Sequence, residues 1–140
     1  MNFLDTLYKQ PLKTYPNVQL LLDIHRGAEI KNRESTTTQI DGKNVAKVLF
    51  IIYKNQPYTS ENTKMAIELD KPLNELYPGV SRGVVQKDEG IASVSSYNQD
   101  LHEGSIMVSI GGVENTLKEE TRTAKMLAKA IKVVLGETAD

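Results

Sequence analysis

From Val18 to Ile24 the chain reads VQLLLDI, almost continuously apolar, a pattern that predicts a central strand covered on both faces. The polar pair His25 and Arg26 falls at its C-terminal end. Thr36 to Ile40 and Asn44 to Tyr53 flank Asp41-Gly42, a dipeptide that favours a tight hairpin turn in which both central residues take positive φ. Ser60 or Asn62 is a candidate cap for a helix running to about Tyr77, with Met65, Ile67, Leu69, Leu73 and Leu76 supplying its apolar surface. Pro72 lies inside that stretch, where a missing N–H is expected to kink or split the helix.

Gly83 to Lys87 predicts a short strand. Ile91 to Gly104 has no clear pattern, and a connection of that length is expected to be functional or mobile. Ser105 to Ile110 returns to strand character and stops at Gly111-Gly112. Thr116 and Glu119 form a capping box ahead of an apolar stripe at Ala124, Leu127, Ala128, Ile131, Val134 and Leu135, and Gly136 closes the helix. Strands alternating with helices predict an α/β fold, a layered sheet flanked by helices.

Composition narrows the chemistry. The 140 residues include 39% hydrophobic and 25% charged side chains, suited to one domain, 1–140, with a real core. Cysteine is absent, which excludes a disulfide scaffold, a Cys-based zinc site and a thiol nucleophile. Seventeen basic and eighteen acidic side chains leave a net charge of -1, so no overall field steers the chain onto nucleic acid. No apolar run approaches the length needed to span a bilayer, and the first residues do not read as a signal peptide.

Polar clusters follow both apolar strands: Asp23-Ile24-His25-Arg26 after the first, and Gly111-Gly112 through Asn115-Thr116 after the last. Ligands of open α/β sheets bind at the carboxyl ends of strands, so the two clusters are candidates for one crevice. Taken alone, a strand-end histidine is more often a hydrogen-bonded structural residue than a metal ligand.

Six blocks occur in order: Leu22 to Arg26 (LDIHR), Ile40 to Lys43, Val45 to Val48, Leu76 to Gly83 (LYPGVSRG), Tyr97 to Leu101 (YNQDL) and Gly111 to Thr116 (GGVENT). From about Asn17 to Leu135 this series closely resembles the C-terminal part of the stage II sporulation protein P family. The resemblance implies a zinc-dependent peptidoglycan amidase and endopeptidase, with a fold similar to zinc N-acetylmuramoyl-L-alanine amidases. It further implies peptidoglycan stem peptides as substrate and an extracytoplasmic place in the cell envelope.

By the same resemblance, His25 corresponds to a Zn2+ ligand. The two other ligands, a His and a Glu, belong upstream of the DIHR block, where this chain has neither. Ser109 stands where the family carries a catalytic Glu, and a neutral hydroxyl is a poor general base. Arg82 and the block Tyr97, Asn98, Gln99 and Asp100 resemble segments placed around the substrate groove. A guanidinium there suits a stem-peptide carboxylate, and a loop salt bridge is the structural alternative for Arg82. His102 with Glu103 is the other His-containing pair that loop folding could bring to His25.

The resulting expectation is a partial amidase-like domain, truncated and catalytically impaired, without the N-terminal strand–helix segment. Two alternatives are a non-catalytic peptidoglycan-binding or regulatory module, and one part of a split amidase completed by a chain supplying the missing segment.

Overall fold

The computed structural model describes residues 3–27, 31–88 and 98–136. In chain order the elements are α1 (Phe3–Thr14), β1 (Leu21–Gly27), α2 (Arg33–Thr36), β2 (Thr37–Ile40), β3 (Lys43–Ala46), β4 (Val48–Tyr53), α3 (Thr59–Leu76), β5 (Ser81–Lys87), β6 (Ser105–Gly112) and α4 (Leu117–Leu135). The expected α/β layering is present: a four-stranded sheet in the order β1-β6-β4-β5, with helices packed against it, and a separate hairpin of β2 and β3. β1 runs parallel to β6, β6 antiparallel to β4, and β4 parallel to β5. The carboxyl ends of β1 and β6 therefore share one end of the sheet with the amino ends of β4 and β5.

The hairpin forms as the dipeptide predicts. Asp41 has φ 52° and Gly42 φ 76°, and Ile40 pairs with Lys43 across them. The strand expected from Asn44 to Tyr53 is divided at Lys47, because β3 pairs with β2 whereas β4 joins the main sheet. Lys47 bridges the two, donating its N–H to Thr36 and accepting from Gly111. β1 is an edge strand among the described residues, not a central one. Leu20 and Leu22 pack on the core, but Ile24 is 57% exposed at the rim. A continuous apolar run cannot report how many neighbours a strand will find.

Alternate residues of β4 and β6, namely Val48, Phe50 and Ile52 with Ile106, Val108 and Ile110, point to one face and meet Leu69 and Leu73 of α3 and Leu127 and Ala130 of α4. Burying a side chain such as Phe50 completely is worth about 1.5–3 kcal/mol. α3 runs through Pro72 without splitting, and the proline is buried on the core side. Its start also differs from expectation. Tyr58 holds the cap position without a side-chain bond, and Asn62 is fully buried, donating to the carbonyls of His102 and Glu103 at 2.9 Å each.

The junction of β6 with α4 is held by a polar network. Gly111 has φ 68°, and a Cβ there would lie 2.7 Å from Asn115 Oδ1 and 3.0 Å from Ala46 Cβ. Asn115 accepts from the Gly112 N–H and donates to Thr37 of the hairpin. Thr116 and Glu119 make the capping box that the sequence predicts. Arg33 meets both carboxylate oxygens of Glu119 and donates to the Glu114 carbonyl at 2.9 Å. The Arg33 hydrogen bond is the main reason that the buried Glu119 carboxyl falls from 4.5 to about 2, with burial opposing it and the Thr116 N–H and Asn115 adding to it.

Because the folded-state carboxyl is the depressed one, its stabilisation is complete above about pH 4.5 and is lost as the pH falls toward 2. Urea unfolding followed by circular dichroism is expected to show that decline, and E119Q to flatten it. G111A is expected to cost at least about 1–2 kcal/mol from backbone conformation alone, read from the same unfolding curves.

Candidate functional site

Strand parity builds the site. Asp23 and His25 are two residues apart on β1, so both project from the same face, opposite the one that α3 and α4 cover. His25 is in register with Ser109 of β6, and Ser109 with Leu49 of β4, so the imidazole and the hydroxyl are cross-strand neighbours. Ser109 is 5% exposed. The sequence-predicted ligand position and the predicted general-base position are thus brought together, with a hydroxyl in place of a carboxylate.

His25 Nε2 lies 2.6 Å from Asp23 Oδ1, and the side chains are 38% and 17% exposed. The other Asp23 oxygen accepts from Asn98 Nδ2 at 3.5 Å. Asn98 adopts φ 66°, a left-handed conformation that asparagine tolerates better than most residues. Beside it, Gln99 is fully buried, accepting from the Tyr53 N–H at 2.7 Å and donating to the Ile51 carbonyl at 2.9 Å. Its amide takes the place of a neighbouring strand along the last residues of β4. Asp100 is exposed, and Tyr97 lies outside the described residues, as does the rest of the expected loop from Ile91 to Ser96.

Two β-bulges frame this end of the sheet. Between His25 and Gly27 the β6 strand carries one residue more than β1, and Gly111 supplies the positive φ. Between Val48 and Phe50 the β5 strand carries one more than β4, at Arg82 and Gly83. Bulges re-aim side chains and are common beside active sites. Arg82 is exposed at the same end of the sheet as His25, and three strand spacings place it about 14 Å away. The loop salt bridge considered for Arg82 is not among its described contacts.

His102 and Glu103 do not join His25. They precede β6 and therefore sit at the opposite end of the sheet, where they line a cavity of about 450 Å³ with Val18, Glu61, Lys64 and Glu68. The Gly104 N–H donates to His102 Nδ1 at 2.8 Å, and a Cβ on Gly104 would fall 2.1 Å from the Gln19 carbonyl oxygen. Catalytic zinc takes three protein ligands plus an open position. Among the described residues no three of His, Cys, Asp or Glu come together to hold a metal.

A sequence model of the stage II sporulation protein P (SpoIIP) family matches residues 5–132. The chain belongs to the SpoIIP family. It is 38% identical over 124 residues to stage II sporulation protein P of Bacillus subtilis (strain 168), an alignment that takes in 86% of this chain and 29% of that protein. The chain thus spans less than a third of the length of this sporulation relative. No solved structure matches it. Among the described residues no helix is long and apolar enough to cross a membrane.

The SpoIIP-like blocks now have physical content. GGVENT builds the bulge, the Asn115 bridge and the helix cap; DIHR places Asp23 and His25 on one face; NQ of YNQDL reaches Asp23 and completes β4. Asp23 belongs to the polar cluster that the sequence places at the end of the first strand but carries no role of its own there; its i, i+2 spacing from His25 on a strand is the signal that pairs the two. Replacing Gln99 by Ala removes the amide that bonds the Tyr53 N–H and the Ile51 carbonyl, while Ile51 keeps its strand pairing with Met107. A loss of about 1–3 kcal/mol in chemical denaturation is expected, the scale of one lost buried hydrogen-bonding partner.

Proposed function

We propose that this SpoIIP-family chain is built as a peptidoglycan amidase and endopeptidase domain, yet is not by itself an active hydrolase. The observation that carries the reading is the register pair of His25 with Ser109. An amidase of this kind needs a metal with an open position to polarise the amide carbonyl and activate water, and a carboxylate to move the proton. His25 supplies one ligand type at the right end of the sheet. Ser109, on the same face, can hydrogen-bond a substrate or water but cannot carry the negative charge of a general base near neutral pH.

Arg82 supports a role in binding stem peptides. Its guanidinium is exposed at the end of the sheet that bears His25, where a peptide carboxylate laid across the strands would find a two-pronged partner. That placement also favours the non-catalytic reading, in which the chain holds peptidoglycan at the envelope without cutting it. A third arrangement has a separate segment or chain adding the remaining ligands beside the β1 edge, since an edge strand is open to pairing.

The test uses the 140-residue chain, zinc and purified muropeptides, with mass spectrometry of released peptides. No release is expected, and S109E alone is expected not to restore it. Robust, chelator-sensitive cleavage by the unaltered chain overturns the proposal. Saturable pull-down on insoluble peptidoglycan that R82A weakens is the expected sign of retained binding.

A further inference from the structure

We infer that Asp23 is the positioning residue for the His25 imidazole, and that Asn98 and Gln99 form a latch holding Asp23 in place. This rests on the reading above that His25 faces the reacting end of the sheet.

Strand parity brings the carboxylate to the ring, and Oδ1 approaches Nε2 to 2.6 Å in a contact that lacks the alignment of a hydrogen bond, so Asp23 restrains the imidazole by proximity rather than through a directed bond. Asp23 is the more buried partner, at 17% against 38%, so the carboxylate is the fixed member of the pair. A carboxylate beside one ring nitrogen sets the ring's orientation and directs the other nitrogen to its task, the usual way in which a neighbouring group prepares a ligand or base histidine.

What fixes Asp23 lies seventy-five residues further along the chain. The Asn98 amide reaches Oδ2, and a bond of 3.5 Å is too long to define a position unless its own backbone is held. Gln99 holds it. With no exposed surface and both ends of its amide bonded to β4, Gln99 pins the segment to the sheet. The left-handed turn at Asn98 then directs its side chain toward β1. On this account Asn98 and Gln99 serve the site from behind rather than by touching a stem peptide.

The experiment is carbon-detected or proton–carbon NMR of the two imidazoles in the full 140-residue chain without metal. H25A and H102A assign the signals, and His102, at the other end of the sheet, is the internal reference. D23N is expected to shift the His25 ring signals and to average its side-chain rotamers, with His102 unmoved. N98G removes the amide while keeping a residue suited to positive φ, and a smaller shift of His25 in the same direction is expected. Should D23N disturb folding, N98G carries the test alone. His25 signals unchanged in N98G, or in a folded D23N, overturn the inference. Zinc titration of the unaltered chain asks the separate question: His25 signals that zinc leaves unmoved count against a metal role, whereas the coupling to Asp23 is judged from the metal-free spectra.

Discussion

The structure depends on how the end of β6 is tied to its surroundings. Asn115 sits where the strand, the hairpin and the last helix meet, accepting from Gly112 and donating to Thr37, while Glu119 caps α4 and receives Arg33. A carboxylate with so little exposure is tolerated because a guanidinium, a backbone N–H and an amide all face it. Only glycine fits at position 111, where Asn115 closes in. These contacts add a directed polar tie to the apolar packing of Ile106, Val108 and Ile110 on the helix layer.

From that anchor the site follows by register. β6 is central, with β1 on one side and β4 on the other, so one row across the sheet contains His25, Ser109 and Leu49. The apolar faces of the same strands are consumed by α3 and α4, and the opposite face mixes Asp23, His25 and Ser109 with Leu49, Met107 and the buried Ile51. The two bulges fall at this end, one on β6 and one on β5, and each adds a residue where the ladder would otherwise run straight. The fold thereby separates its two histidines, His25 at the bulged end and His102 at the other.

The SpoIIP motif residues divide between these two duties. GGVENT is architecture, for every polar group in it described above is spent on the junction. DIHR sets Asp23 and His25 side by side on one face of β1. The YNQDL block looks in sequence like groove chemistry, yet Gln99 is wholly inside, bonded to the backbone of β4. An amide that pairs with a strand edge and an amide that pairs with a ligand are the same chemical group, and composition does not tell them apart.

The elements set by local physics were legible from the chain alone: the positive-φ hairpin at Asp41-Gly42, the capping box at Thr116 and Glu119, the glycine end of α4 and the alternation of strands with helices. These depend on neighbours within a few residues. The family blocks likewise singled out His25 and Ser109 as residues of interest. Tertiary structure alone decided that β1 lies at an edge, that Lys47 divides a strand, that Pro72 stays inside an unsplit helix and that Asn62 bonds the segment before β6. It also decided that His25 adjoins Ser109 while His102 does not approach it. Each of those outcomes is a pairing across tens of residues, fixed by strand register and by which buried polar group finds a partner, and periodicity along the chain carries no record of either.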